Sequence, residues 1–228
     1  MYTYDNILAK YVDNQNINAQ IGIINAFSNN GLENTLKNYL LSNKEFQNEF
    51  NELDDVKYYN SWKLSIWTYE SPKEIDSFNK HYHSALKLYV NEEKNESNMS
   101  KILNIIDQSQ NSLFTELTSI CVNLTYSIYP ILANFYNLNQ IKKFSTILNL
   151  NDFIKNELVL LSYESNYFSE SESFSLNNDL LTTRLILAKS LLKSQPIETS
   201  YLVKNYLVSI YDKIIENAVS HKRFQVII

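Results

Sequence analysis

Glycine and proline are nearly missing from this chain: two and three residues among 228, against average usage of about 7% and 5%. So few breakers exclude a fold of twisted strands and tight turns, and there is no Gly-rich loop to cradle a phosphate. One cysteine, Cys121, excludes an internal disulfide; its apolar neighbours predict a buried thiol in a reducing compartment. The opening residues Met1-Tyr2-Thr3-Tyr4-Asp5-Asn6 carry neither the cationic nor the apolar region of a secretory signal. Lysines and arginines are scattered and the net charge is −5, so the basic stripe that phosphate binding demands is lacking and no nucleic-acid partner is expected.

Charge is also absent from Leu117 to Ile141. That length would span a bilayer, but Thr118, Ser119, Asn123, Thr125, Ser127, Pro130 and Asn134 interrupt it with groups that need partners in hydrocarbon. A buried central helix, Leu113 to Tyr136 with a kink at Pro130, is expected in place of a membrane span. With no leader, no span and a free thiol, the expected location is the cytoplasm.

What remains is helix-forming sequence. Ser71-Pro72-Lys73-Glu74 has the form of a capping box with proline in the first turn. Behind it, Ile75, Phe78, Tyr82, Ala85, Leu86, Tyr89 and Val90 recur in steps of three and four, predicting a helix to about Asn91 with Lys80, His83 and Lys87 on the other side. Ile17 to Phe27 predicts a helix closed at Gly31, and Leu32, Leu36, Tyr39 and Leu40 a second. Val56 to Tyr69 places Tyr59, Trp62, Ile66 and Tyr69 along one side. A short helix at Ile102 to Ile106, two more at Ile141 to Leu148 and Phe153 to Leu161, a loop from Tyr163 to Ser175, and paired helices at Leu180 to Leu192 and Pro196 to Val219 complete the reading. The fold class is all-α, a bundle of antiparallel helical hairpins with about eight to ten helices. A single domain over 1–228 is expected, with a division into 1–98 and 99–228 as the alternative.

Chemistry-bearing motifs are sparse. His81 and His83 are two apart, which on a helix turns them about 200° from each other and prevents one ion from being shared. His221, in Ser220-His221-Lys222-Arg223, complements the last turn of a helix. Cys121 has no nucleophile signature around it. No catalytic, cofactor or metal residue is therefore assigned, and no cofactor is expected.

Aromatic residues are plentiful: seventeen Tyr and eleven Phe, with Tyr58, Tyr59, Trp62, Trp67 and Tyr69 in one short stretch. Tyr and Trp are favoured as interface anchors, and an acidic surface steers a basic protein partner. The candidate partner-binding residues are the acidic groups Glu92, Glu93, Glu96, Glu164, Glu170 and Glu172, with Trp67 as an aromatic anchor. A protein-binding role is expected over catalysis. A scaffold or secretion-system component, self-associating through the same surfaces, is the alternative, and a helical-bundle enzyme with a dispersed site the third.

Two stretches carry a resemblance. Tyr59-Asn60-Ser61-Trp62-Lys63-Leu64-Ser65-Ile66 leads into Pro72-Lys73-Glu74-Ile75 and Ser84-Ala85-Leu86-Lys87-Leu88-Tyr89; later come Leu202-Val203-Lys204-Asn205-Tyr206-Leu207, Tyr211-Asp212-Lys213 and Ala218-Val219-Ser220-His221. The order of an aromatic helix, a proline-led helix and a late Tyr-rich helix is similar to that of the helical immunity proteins that bacteria pair with PoNe-type DNase toxins. The resemblance implies a cytosolic acidic protein that binds and neutralises a toxin domain without chemistry of its own.

Overall fold

A chain without breakers continues each helix until a polar corner can satisfy its ends. The computed structural model describes residues 17–29, 32–42, 51–70, 77–92, 95–119, 128–167 and 174–222, the side chains at some helix ends excepted. Among these residues there are nine α-helices and no strand: α1 Ile17–Asn29, α2 Glu33–Ser42, α3 Asn51–Lys63, α4 Phe78–Asn91, α5 Glu96–Ser119, α6 Ile128–Ser145, α7 Leu150–Tyr167, α8 Phe174–Lys193 and α9 Ile197–Ser220. The all-α class is thus the observed one.

Successive helices α3, α4, α5 and α6 pack on one another, and α8 lies against α3, α4, α6 and α9. Two hairpins show their antiparallel sense directly. In α5–α6 the Asp107 carboxylate lies 3.6 Å from the Lys142 ammonium, an exposed pair that marks the register. In α8–α9 the chain turns at Ser194–Pro196 while Phe174 and His221 meet at the other end, ring centroids 5.5 Å apart. Helix α7 packs chiefly on α9.

The apolar interior forms two clusters. The larger gathers Trp62, Tyr82, Leu86, Tyr89, Ile106, Ile141, Phe144, Leu187, Tyr206 and Ile210 from α3 to α9. The smaller joins Ile24 of α1 and Leu36 and Leu40 of α2 to Tyr58, Ile66 and Tyr69. Helix α3 serves both, with Trp62 turned to one cluster and Tyr58 to the other. Tyr69 fastens the smaller one, donating its hydroxyl to the Leu40 carbonyl at 2.8 Å.

Several element boundaries differ from the sequence reading. The helix expected to run through Tyr69 stops at Lys63, because Ser65 adopts a left-handed φ of 53°. Its amide bonds the Trp62 carbonyl at 3.2 Å while that of Ile66 reaches back to Ser61 at 2.8 Å, the paired closing bonds of a Schellman end. Ile66 and Tyr69 therefore leave the helical stripe and fill the smaller cluster from a loop. Helix α4 begins at Phe78, with the Ser77 hydroxyl accepting from the Lys80 amide at 3.4 Å; the expected cap at Ser71–Glu74 lies outside the described residues. Of the expected central helix, residues 113–119 belong to α5 and 128–136 to α6, residues 120–127 lying outside the described residues. Pro130 sits in the first turn of α6, where a missing N–H breaks no helical bond. The stretch Ile102–Ile106 belongs to the 24-residue α5, and Ile141 to α6, just before its last turn. Part of the expected loop is helical: α7 continues to Tyr167 and α8 starts at Phe174. Among the described residues no helix is long and apolar enough to cross a membrane. Gly31 and Cys121 lie outside the described residues.

Candidate functional site

Helix α4 is packed on several sides, and it buries seven consecutive residues, Lys80 to Leu86. Lys80 and His83, expected on an open face, are therefore internal. The His83 ring stands between Tyr58 and Trp67, with centroids 5.0 and 5.6 Å away, and its Nε2 faces the Ile66 carbonyl oxygen at 3.4 Å. A carbonyl only accepts, so the proton of the neutral imidazole belongs on Nε2. Burial, reinforced by the positive charges of Lys87 and Lys57 and opposed by that carbonyl, lowers the His83 pKa to about 4. Nearby, the buried Asp54 carboxylate is shared by Lys57 at 3.8 Å and Lys80 at 3.6 Å. The Lys57 ammonium also lies 5.2 Å from the Tyr58 ring centroid and 5.0 Å from that of Tyr69, within cation–π range.

A second polar group joins α3 to α8. Lys63 Nζ is 2.7 Å from Asp179 Oδ1, and the Tyr59 hydroxyl donates to Asp179 Oδ2 at 2.9 Å while accepting from Lys63 at 3.1 Å. Burial disfavours the Lys63 charge, but Asp179 and Tyr59 outweigh it and hold the ammonium protonated. Burial pushes the Asp179 carboxyl upward while Lys63 and Tyr59 pull against it. One turn on, Thr183 donates to the Asp179 carbonyl at 2.8 Å, so in its 2.6 Å contact with Tyr82 the tyrosine is the donor.

The third group is centred on Arg184, whose side chain has no solvent exposure. Its Nε lies 3.8 Å from Glu157 of α7, and its guanidinium donates to the Tyr136 hydroxyl of α6 at 3.0 Å. The Tyr206 hydroxyl of α9 donates to the same Glu157 at 3.3 Å, and Lys143 of α6 approaches its other oxygen at 3.5 Å.

Each group acts as a tie between helices. Burial raises the pKa of Tyr59, Tyr69, Tyr82 and Tyr89, that of Tyr69 to about 12. That direction keeps phenols protonated, whereas a nucleophile or base requires the reverse. His221 caps α9, with Nδ1 2.9 Å from the Asn217 carbonyl, and lies over Phe174, apart from His81 and His83 on α4. Among the described residues no three His, Cys, Asp or Glu side chains are placed to hold a metal ion.

The sequence-predicted binding residues are scattered. Glu92 and Glu96 are exposed and flank the α4–α5 corner. Glu93, Glu170 and Glu172 lie outside the described residues, as does the side chain of Glu164 on α7. Trp67 is half-buried against the larger core cluster and the His83 ring.

A different surface emerges on α9. Its inner side buries Val203, Tyr206, Leu207, Ile210 and Ala218. Its outer side carries Tyr201, Val208, Tyr211, Ile215 and Val219, each between 43% and 59% exposed. At 100° per residue these five fall within a sector of about 80°, opposite Val203 and Ile210. A helix apolar on both sides is the pattern of a buried helix. The signal was in the sequence, as the seven-residue steps Tyr201, Val208, Ile215, but a dense apolar helix does not reveal which side the core takes. No family model, curated protein or solved structure matches the chain.

Proposed function

We propose that this protein acts by binding other protein chains and performs no chemistry of its own. The observation that carries this reading is the outer face of α9, five exposed apolar side chains in line on a helix whose inner face is already buried. Exposed apolar side chains aligned in this way, here with Lys204 among them, mark association sites. The finer form is a cytoplasmic immunity-type inhibitor that neutralises a toxin domain, as the sequence resemblance implies. The net charge of −5, with Glu92 and Glu96 exposed at the α4–α5 corner, supports a basic partner through electrostatic steering.

The test is protection. Expressed with the toxin domain encoded beside it, the chain is expected to restore growth of otherwise poisoned cells and to co-purify with that domain. Absence of such a neighbour, or growth arrest unrelieved by this chain, overturns the inhibitor reading. A second reading, an assembling scaffold, is favoured by the seven-residue spacing of Tyr201, Val208 and Ile215 on the same exposed α9 face.

A further inference from the structure

The apolar line on α9 extends from Tyr201 to Val219, about 27 Å at the helical rise of 1.5 Å per residue. Its steps of seven, three, four and four residues are those of a helix–helix seam. A straight seam of this spacing has the shape that a second helix running alongside would fit.

Two features select the covering helix. The seam is partly symmetric about Ile210: Tyr201 lies as far before it as Val219 lies after, and Val208 and Tyr211 straddle it one residue out of register, while Ile215 is mirrored by Asn205. It is also charged unequally along its length. On α9 itself the exposed Lys204 belongs to the first half and the exposed Asp212 and Glu216 to the second, where Lys213 bonds Glu216 at 2.6 Å and Lys189 of α8 lies 5.5 Å from the Tyr211 ring centroid. Parallel pairing of two such helices sets like charge beside like. Antiparallel pairing about a two-fold axis at Ile210 brings Tyr201 level with Val219 of the other copy, Val208 beside Tyr211, and Lys204 level with Glu216. This is the self-complementarity that an isologous interface requires.

We propose that the outer face of α9 is taken by α9 of a second copy of this chain, antiparallel, forming a two-fold dimer. The proposal rests on the protein-binding reading and names the partner of that face. The seam is small beside the roughly 800 Å² per partner of a standard interface. Association is accordingly expected at micromolar concentrations or above, on the order of 10 to 100 μM.

Sedimentation equilibrium on the full chain from about 5 to 500 μM brackets that range. A reversible doubling of the 26.7 kDa mass is expected. Val208→Glu, on the outer side of the helix, is expected to raise the dissociation constant at least about tenfold with unchanged helicity. Lys204→Glu is expected to weaken the dimer several-fold, and adding Glu216→Lys to restore it, since the swap re-forms both cross-pairs. A monomer at every concentration overturns the proposal, as does a dimer indifferent to Val208→Glu. Failure of the charge swap to restore association overturns the antiparallel register. The two readings fail separately. If the chain stays monomeric but Val208→Glu abolishes protection from the toxin, self-pairing is wrong and protein binding through this face stands. If a dimer forms but neither chain protects, self-pairing stands and the inhibitor reading falls.

Discussion

His83 shows how far the interior dictates the state of a single side chain. With its ring between Tyr58 and Trp67 and lysines on the same side, it is held neutral, its pKa lowered to about 4. Once unfolded, it regains an ordinary value near 6.5. The unfolded chain therefore binds the proton first as pH falls, and stability is lost between about pH 6.5 and 4. The full difference amounts to about 3 kcal/mol. In urea titrations at neutral pH and near pH 4, the wild-type chain is expected to lose about 2–3 kcal/mol more than a His83→Phe variant, in which this ionisation is removed. Equal losses in the two proteins would show that the ring is not buried as a neutral group. The charges of Lys87 and Lys57 act in the same direction as burial.

At the scale of elements, stops and ties decide the architecture. Ser65 holds the left-handed position that closes α3, a place glycine takes at no steric cost. Ser65→Gly is expected to stabilise the protein by about 1 kcal/mol, read as a higher urea midpoint at unchanged slope. The Arg184–Glu157 pair ties α8 to α7, and through Tyr136 and Tyr206 to α6 and α9. Arg184→Met leaves Glu157 buried with weaker compensation, so a loss of about 3–5 kcal/mol is expected, whereas Arg184→Met with Glu157→Leu should recover most of it. A double variant as unstable as the single one would show that packing around Arg184, rather than charge, is at stake. Helix existence was legible from three- and four-residue spacing and from the rarity of breakers. The end of α3 was not, because serine in a left-handed conformation leaves no mark in the sequence. Nor were the buried ions: Lys80, Asp179 and Arg184 look like surface residues until neighbouring helices close over them.

Over the whole molecule, the two apolar clusters differ in size and in ties. The smaller rests on α1 and α2 and a few rings, held by the Tyr69–Leu40 bond and the Asp54–Lys57 pair, while the larger is crossed by the Lys63–Asp179 and Arg184–Glu157 groups. Local opening follows such differences. Amides in the middle of α1 and α2 are expected to exchange with deuterium at least about tenfold faster than those in the middle of α8. Uniform protection across these helices would show a single cooperative unit. The candidate surface was only half legible: the seam spacing on α9 could be read, but its exposure depended on which side faced α7 and α8.

The bonds between α3 or α4 and α8 also have a consequence in time. Tyr59 and Asp179 are 120 residues apart in the chain, and Tyr82 and Thr183 are 101 apart. During synthesis at about 5–20 residues per second, α3 and α4 wait on the order of 5–20 s before α8 is made. Throughout that interval Lys63 and Tyr82 lack their partners Asp179 and Thr183. The early half of the chain is therefore the part a holding chaperone would meet, and a chain truncated before α8 would never leave that state.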